Sequence, residues 1–434
     1  MSAQRKASFI TLGCKVNWYD SQAMAEAMAA AGFIIVPENE QADVYVVNTC
    51  AVTAEAGRKS RQAVRRLMRL HPGAAVIAAG CSAQKDSDEY LALPGIAAVC
   101  GTCGRADVAG IALRVAEGAR GIAQRTAENT VFEDIPADAQ SGHTRATLKI
   151  EDGCDARCAY CIIPELRGAP RSRDLGSISR EAEQLAGRGF REIVLVGINL
   201  ARYGVGLPGD VSLADAVEAA CAPGVERVRL GSLEPETVTE ALLLRLRSIP
   251  QFCPHFHLSL QSGAAGTLKR MSRRYNPVQY MEKLALLRRY FPDAGVTTDV
   301  IVGFPGETEE EFTQSAAFVA AAGFLKVHVF PFSRRPGTPA ADMPAQIPRA
   351  VKAARAAAMQ AAAAPSARAF LEGMRGRTVP VLFETPVEGK PGWMRGYAPN
   401  YTDVMADIQV EGKGMIIPVR LTEVVEDILI GKID

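Results

Sequence analysis

The sequence predicts a multidomain α/β protein in three parts. Residues 1–139 read as an open parallel α/β domain, residues 140–370 as a partial TIM-type barrel with six β–α units, (β/α)6, and residues 371–434 as a small OB-like all-β barrel. Three observations lead there. Strand and helix signals alternate through the first hundred residues, and again on a larger scale from Ala146, which is the pattern of parallel sheets covered by helices. Beyond residue 371, short strands are separated by Gly and Pro turns, as in a compact β module. The 434 residues also allow about three domains at roughly 150 residues each.

The first domain is built from Ala7–Leu12, a strand, Ser21–Ala31, a helix with Asp20 as its cap, and the strands Phe33–Val36 and Val44–Val47. Ala54–His71 is a helix stopped by Pro72-Gly73, and Ala75–Ala79 is a further strand. A helix near Ala106–Ala119 and a polar, turn-rich stretch over Ala127–Thr144 lead to a boundary near residue 140. Barrel strands are expected at Ala146–Ile150, Glu192–Val196, Val225–Leu230, His255–Leu260, Val296–Ile301 and Lys326–Phe330. Between them lie helices such as Ser179–Arg188, Val238–Ser248, Pro277–Tyr290 and Glu309–Ala322. Ala350–Leu371 is an Ala-rich helix with Pro365 as a break or kink. Short strands follow at Arg377–Phe383, Gly392–Tyr397, Thr402–Val410 and Gly414–Leu421.

Composition narrows the function classes. Hydrophobic residues are 48% and charged residues 22%, which excludes a disordered chain. Lys+Arg number 49 against 48 Asp+Glu, so no global field draws nucleic acid or acidic lipid, and such binding needs a local patch. No apolar run approaches the ~18 residues of a membrane span. The N-terminus, Met1-Ser2-Ala3-Gln4-Arg5-Lys6, has no signal-peptide core. A cytoplasmic protein with no membrane partner is expected. Its ten cysteines then read as metal ligands, reactive groups or buried thiols rather than disulfides.

Position separates those cases. Cys14, Cys50 and Cys81 each stand just past the C-terminal end of an apolar strand, and those ends share one edge of a parallel sheet, where ligands bind. Three cysteines far apart in sequence therefore converge. The sharpest local signal is Cys154-Asp-Ala-Arg-Cys158-Ala-Tyr-Cys161, on the loop after the first barrel strand. Three thiolates on one loop suit three irons of a 4Fe-4S cubane, leaving one iron open. A zinc site is the lesser alternative, since the nearest upstream histidine, His143, lies beyond the strand. Cys100 and Cys103 lack a second pair and read as structural, and Cys221 and Cys253 as buried. His255 and His257 alternate on a strand and read as barrel-interior groups.

The C-x3-C-x2-C loop with Tyr160 resembles the radical S-adenosylmethionine superfamily. The resemblance extends along the chain through Thr11-Leu-Gly-Cys14-Lys-Val-Asn17, Asn48-Thr-Cys50-Ala-Val-Thr53, Ala79-Gly-Cys81, Cys161-Ile-Ile-Pro164 with Arg167-Gly168, Leu258-Ser-Leu-Gln261-Ser-Gly263 and Gly303-Phe-Pro-Gly306-Glu-Thr308. Together these are similar to the methylthiotransferases. That resemblance implies two 4Fe-4S clusters, one held by Cys154, Cys158 and Cys161 and an auxiliary one by Cys14, Cys50 and Cys81. It also implies two molecules of S-adenosylmethionine per product, one giving a methyl group and one a 5′-deoxyadenosyl radical. The final β module resembles the RNA-binding TRAM domain.

By the same resemblance, S-adenosylmethionine is expected against Tyr160, Arg173, Gly197, Asn199, Gly231, Ser232, Glu234, Gln261, Ser262 and Asp299. Glu234 has the equal alternative of capping the next helix. Gly303–Gly306 reads as turn shape. No protein acid–base pair is assigned. Known substrates of the family are tRNA adenosines bearing isopentenyl or threonylcarbamoyl groups, or an aspartate of a small-subunit ribosomal protein. The Cys14-Lys15-Val16-Asn17 motif is similar to the type acting on N6-threonylcarbamoyladenosine next to the anticodon. Implied partners are a tRNA anticodon stem-loop and an electron donor of flavodoxin or ferredoxin type. A non-catalytic Fe-S protein that binds RNA is the alternative of another class.

Charge patterning independently favours RNA. Arg58, Arg61, Arg65 and Arg69 share one face of Ala54–His71, with Glu55 the only acid, so they read as unpaired phosphate contacts. Arg167, Arg171 and Arg173, then Lys269, Arg270, Arg273 and Arg274, read as basic loops at the barrel mouth. The last module has seven Lys/Arg against ten Asp/Glu from Glu372 to Asp434, yet Arg375, Arg377, Trp393, Arg395 and Tyr397 suit a local stacking surface.

Overall fold

The structure, a computed structural model, describes residues 4–124, 131–140, 142–409 and 412–433. The N-terminal reading on Met1–Ala3 and part of the 127–144 stretch lie outside the described residues. Six parallel strands form the first sheet, in the spatial order Ile34–Val36, Lys6–Thr11, Val44–Thr49, Ala75–Gly80, Ile96–Cys100 and Ile122–Gln124. Helices cover both faces. Val44, Val46, Ile77 and Ala98 pack with Met24, Met28, Val108 and Ile111 on one side, and Tyr45, Val47, Val76 and Val99 with Val64 and Leu67 on the other. The last two strands were not expected. Ile96-Ala-Ala-Val-Cys100 is a short Ala-rich run whose periodicity does not distinguish strand from helix.

The first helix also differs from expectation. It spans Lys15–Ala30 with Cys14 at its cap position, so Asp20 lies inside it and caps nothing. Asp20 is instead 4% exposed and paired with Arg105 and Lys149. Pairing with buried cations outweighs its ordinary preference for a helix end.

In the second region, Ala146–Lys149, Glu192–Val196 and Arg227–Leu230 form one parallel set. Ser232–Leu233, His255–Leu258, Gly295–Val302 and Lys326–Pro331 form a second. Only Gly231 separates Leu230 from Ser232, and Phe252 bridges back to Val228, so the sets continue as one arc. Ile193, Leu195, Val228, Leu258 and Val300 face the helical layer. Alternation sends Glu192, Arg227, Arg229, His255, His257 and Asp299 to the opposite, inner face. This interior is charged.

Helix Arg349–Gly373 runs through Pro365 without the expected break. One missing donor is outweighed by the packing of Met359, Ala363 and Leu371 into the cores on either side. The C-terminal strands close into a five-stranded barrel, ordered Thr378–Pro386, Trp393–Tyr397, Asp403–Asp407, Ile428–Lys432 and Ile416–Val425. The expected strand Thr402–Val410 ends at Asp407, and Val410 lies outside the described residues. Arg227 donates to the carbonyls of Pro380 (2.6 Å) and Tyr397 (3.1 Å), and Arg229 to that of Pro399 (2.8 Å). A Cβ on Gly295 would lie 1.9 Å from the Asn400 carbonyl. The small barrel therefore seals the N-terminal end of the large one. No helix among the described residues is long and apolar enough to cross a membrane.

Candidate active site

Cys14, Cys50 and Cys81 follow three strands that are neighbours in the first sheet. The three thiols influence one another electrostatically, so the sequence-distant cysteines share one site. Local backbone makes this possible. Gly13 has φ +111°, and a Cβ there would lie 2.8 Å from Cys50 Cβ and 2.9 Å from its Sγ. Asn17, fully buried, donates from Nδ2 to the carbonyls of Leu12 and Thr49, both at 2.9 Å, and so ties two of the cysteine loops together. Burial pushes the Cys50 thiol up to about 11 and raises Cys81, while Arg335 and Arg167 oppose the shift. Thiols kept neutral by burial beside cations suit a metal that takes the place of their protons.

The second triad sits on the loop after Glu151–Asp152. Cys154 N–H bonds to Gly168 (3.0 Å) and Cys161 N–H to Cys158 (3.0 Å), which coils the loop. Cys154 Sγ accepts from Asn199 Nδ2 at 3.5 Å, and Cys158 Sγ from Arg273 Nη1 at 3.2 Å. Burial pushes Cys161 up to about 12. Glu151 accepts from the Asn199 N–H at 2.7 Å, and burial pushes its carboxyl up to about 9. Glu151 Oε1 and Asn199 Oδ1 are buried without a hydrogen-bond partner among the described residues. A Cβ on Gly197 would lie 2.7 Å from Glu151 Oε2. Orphaned polar atoms and a glycine wall beside three thiols fit a cluster and a polar ligand with an amine to donate. Three thiols per site also leave one iron of a cubane open at each.

A buried ionic network joins the two triads. Asp152, two residues before Cys154, receives Lys149 (2.6 Å), Arg167 (3.0 Å), Arg105 (3.2 Å) and Arg171 (3.2 Å). Burial alone would raise Asp152, but these four cations hold it well below the ordinary carboxylate range. Arg167, 1% exposed, also bonds Asn17 Oδ1 (2.7 Å) and Asp20 (3.2 Å), and its Nε reaches Cys81 Sγ at 3.4 Å. Counting Glu133 on Arg105, the network sets four cations against three carboxylates. One positive charge is left over beside Cys81, where a thiolate-ligated cluster would answer it.

The structure redistributes several other expected residues. Arg173 is buried in bonds to Tyr19 (3.1 Å), Ser177 (3.0 Å), Glu181 (2.6 Å) and Asp134 (2.5 Å), so its guanidinium faces the domain junction. Arg167 and Arg171 are likewise buried, not basic surface. Arg273, expected on RNA, contacts Cys158 and Tyr160 and pairs with Glu234, which therefore does not cap the next helix. Gln261 adopts φ +65° at a strand end, bonded through its backbone to Asp299 and Ile301. Ser232 is exposed, Ser262 is buried with its Oγ accepting from the Ala264 N–H, and Asp299 lies 3.3 Å from His257.

On the RNA face, Arg58 pairs with Glu55 and Arg61 with Asp86. The unpaired face reduces to Arg65 and Arg69, which have no ion pair among the described residues. Asp86 comes from a later helix boundary, which inspection of one helix alone does not reveal. Arg274 is exposed, while Arg375 pairs with Glu372 and Arg395 with Asp403. Cys221 is half-buried, against expectation, and Cys253 and the Cys100–Cys103 pair are buried. Glu151 and Asn17 are the site residues that the sequence reading gave no role, although both adjoin motif cysteines.

Comparison with known proteins bears on this geometry. Residues 6–101 match the model of the Uncharacterized protein family UPF0004, and residues 148–319 that of the Radical SAM superfamily. The chain is 35% identical to the Threonylcarbamoyladenosine tRNA methylthiotransferase MtaB of Bacillus subtilis (strain 168), over 95% of this chain and 93% of that one. It is also 35% identical to the tRNA-2-methylthio-N(6)-dimethylallyladenosine synthase of Syntrophobacter fumaroxidans, over 95% of this chain and 92% of the other. Among solved structures, the radical S-adenosylmethionine methyltransferase TsrM of Kitasatospora setae matches with a TM-score of 0.58 at 16% identity, covering 78% of this chain and 75% of that one. That likeness is one of fold.

Proposed function

The chain belongs to the radical S-adenosylmethionine tRNA methylthiotransferases of the MtaB type, and from that premise we propose that it methylthiolates C2 of N6-threonylcarbamoyladenosine next to the anticodon. As a member of that family it is a tRNA-modifying transferase that uses a 4Fe-4S cluster and S-adenosylmethionine. The proposal adds a second cluster, with Cys14, Cys50 and Cys81 as its protein ligands and Cys154, Cys158 and Cys161 as those of the first. When bound, the clusters and S-adenosylmethionine supply the radical that removes the C2 hydrogen and the methylthio group that replaces it.

The chain's own residues hold and orient. Asn17 and Gly13 bring Cys50 against the Cys14 loop, and Arg167 offsets negative charge at Cys81. Asn199 and Glu151 offer polar atoms beside Cys154 for the methionyl amine, and Gly197 leaves room for it. Glu234, Gln261, Ser232 and Asp299 are assigned to the S-adenosylmethionine site. Arg65, Arg69 and Arg274 are exposed cations for tRNA phosphates. The electron comes from a donor of flavodoxin or ferredoxin type. We assign residues 1–139, 140–370 and 371–434 to the auxiliary-cluster, radical and TRAM-like domains.

The observation that carries the substrate is the barrel interior. Glu192, Arg227, Arg229, His255, His257 and Asp299 make it polar and charged, which suits a threonylcarbamoyl group and disfavours the apolar isopentenyl group. The test is nucleoside mass spectrometry of tRNA from cells lacking their own methylthiotransferases, with and without this gene. New 2-methylthio-N6-threonylcarbamoyladenosine is expected. A methylthio group on isopentenyladenosine instead would overturn the substrate and leave the family standing.

A further inference from the structure

Inside the barrel almost every charged group has a partner. Glu192 binds Arg229 at 2.7 Å and Arg227 at 3.4 Å, Glu384 binds Arg145 at 2.7 Å, and Asp299 binds His257 at 3.3 Å. Lys15 is the exception. Val16 packs on Val194 and Val196 of the barrel lining, and the electrostatic neighbours of Lys15 are Tyr401, Arg145, Arg229 and Glu192. Its field also reaches His255 and His328 on two further strands. Lys15 therefore stands where the first domain meets the lining of the large barrel. It makes no hydrogen bond or ion pair among the described residues.

Lys15 is exposed to solvent, while its neighbours Arg229 and Glu192 are buried. That contrast places Lys15 at the edge of the barrel interior, where solvent reaches it. The far wall is fixed. Tyr401 stacks on His255 at 4.5 Å and on Tyr397 at 4.9 Å, with the Arg229 guanidinium 4.9 Å from its ring centroid. Thr297 Oγ1 lies 3.1 Å from His255 Nε2 and 2.9 Å from His257 Nδ1. His255, 6% exposed, keeps its Nδ1 buried without a partner. The barrel interior thus offers one unpaired lysine and further polar groups, while Glu192 is paired with two arginines and Asp299 lies 3.3 Å from His257.

An unpaired ammonium beside acids that already have partners selects a small anion, and a carboxylate best. Of the two adenosine modifications acted on by the curated relatives, only the threonylcarbamoyl group carries one. We infer that Lys15 is the specificity-determining residue that receives the threonyl carboxylate of the substrate adenosine within the barrel. This rests on the substrate reading above. It also gives a physical role to a residue adjoining Cys14, since the helix that starts at the thiol triad presents the cation at the barrel interior.

The test uses the full-length, anaerobically reconstituted protein and two anticodon stem-loops. One carries N6-threonylcarbamoyladenosine, and the other the same group with the carboxylate replaced by hydroxymethyl. Fluorescence binding titrations with wild type should show at least a tenfold loss on removing the carboxylate. Lys15→Gln, with iron content checked against wild type, should bind both stem-loops alike and at the weaker level, and Lys15→Arg should restore part of the preference. Equal binding of the two stem-loops by wild type would overturn the inference, as would a full preference in Lys15→Gln. If Lys15→Gln loses iron, the wild-type comparison decides alone. Methylthiolation assays on the acid and isopentenyl stem-loops separate the two failures. Product on the acid stem-loop with no carboxylate preference sinks only Lys15, and product on the isopentenyl stem-loop alone sinks the substrate reading.

Discussion

Replacing Arg167 by Met tests the junction between the two thiol triads. The guanidinium loses two bonds to Asp152 (3.0 and 3.1 Å), one to Asn17, one to Asp20 and one to Cys81. Removing one partner of a buried ion pair costs about 3–5 kcal/mol. The remaining Arg105, Lys149 and Arg171 still balance Asp20, Asp152 and Glu133, which keeps the loss at about 3 kcal/mol. At about 2–4 °C per kcal/mol for domains of this size, Tm should fall by about 6–12 °C. Calorimetry of the iron-free protein reads this directly. Arg167→Lys retains the charge without the fork and should lie between the two. After anaerobic reconstitution, Arg167→Met should also hold less iron at the Cys14–Cys50–Cys81 triad. A Tm within about 2 °C of wild type, well inside the span expected for the lost pairs, together with full iron, would refute the reasoning.

Two further perturbations probe separate parts of the fold. Gly13→Ala places a Cβ 2.8 Å from Cys50 at φ +111°, so it should displace that thiol and lower iron content while sparing the barrel loop, read by iron analysis of the reconstituted variant. Burial alone would raise Glu192, but Arg229, Arg145 and Arg227 bring it below its ordinary value. Its contribution to docking the small barrel is therefore full above an unfolded pKa near 4.3 and is lost as pH falls through the lower folded value. Limited proteolysis between the two barrels should accelerate only below about pH 4 in wild type. In Glu192→Gln, which strands Arg227 and Arg229 at a cost of about 3–5 kcal/mol, it should be fast at neutral pH. Equal resistance in the two proteins at pH 7 would contradict the assignment.

Period and punctuation made most of the architecture readable. The helix pairs Pro277–Tyr290 and Glu309–Ala322 and the strand Glu192–Val196 appear in the structure with the bounds that their sequence patterns suggest. The convergence of Cys14, Cys50 and Cys81 was legible because parallel strands put their C-terminal ends on one edge. What stayed hidden depends on partners from distant segments. Asp20 looked like a helix cap because Arg105 and Lys149, which bury it, lie far along the chain. Arg173 and Arg273 looked like basic surface, yet each meets an acid that folding alone brings near. Arg61 looked free for the same reason. The closing strand Ile428–Lys432 carries no turn signal beyond the bare Glu426-Asp427 corner, and its parallel pairing with Asp403–Asp407 is a long-range contact.

The central claim is that two thiol triads on two domains hold two separate clusters side by side. Iron analysis with Mössbauer spectroscopy on wild type, Cys50→Ala and Cys158→Ala tests it most directly. Each variant should retain about half the wild-type iron, as expected when one of two cubanes is lost. Cys158→Ala should fail to cleave S-adenosylmethionine, and Cys50→Ala should still form 5′-deoxyadenosine without methylthio product. Full iron in both variants, or loss of all iron in either folded variant, would contradict it.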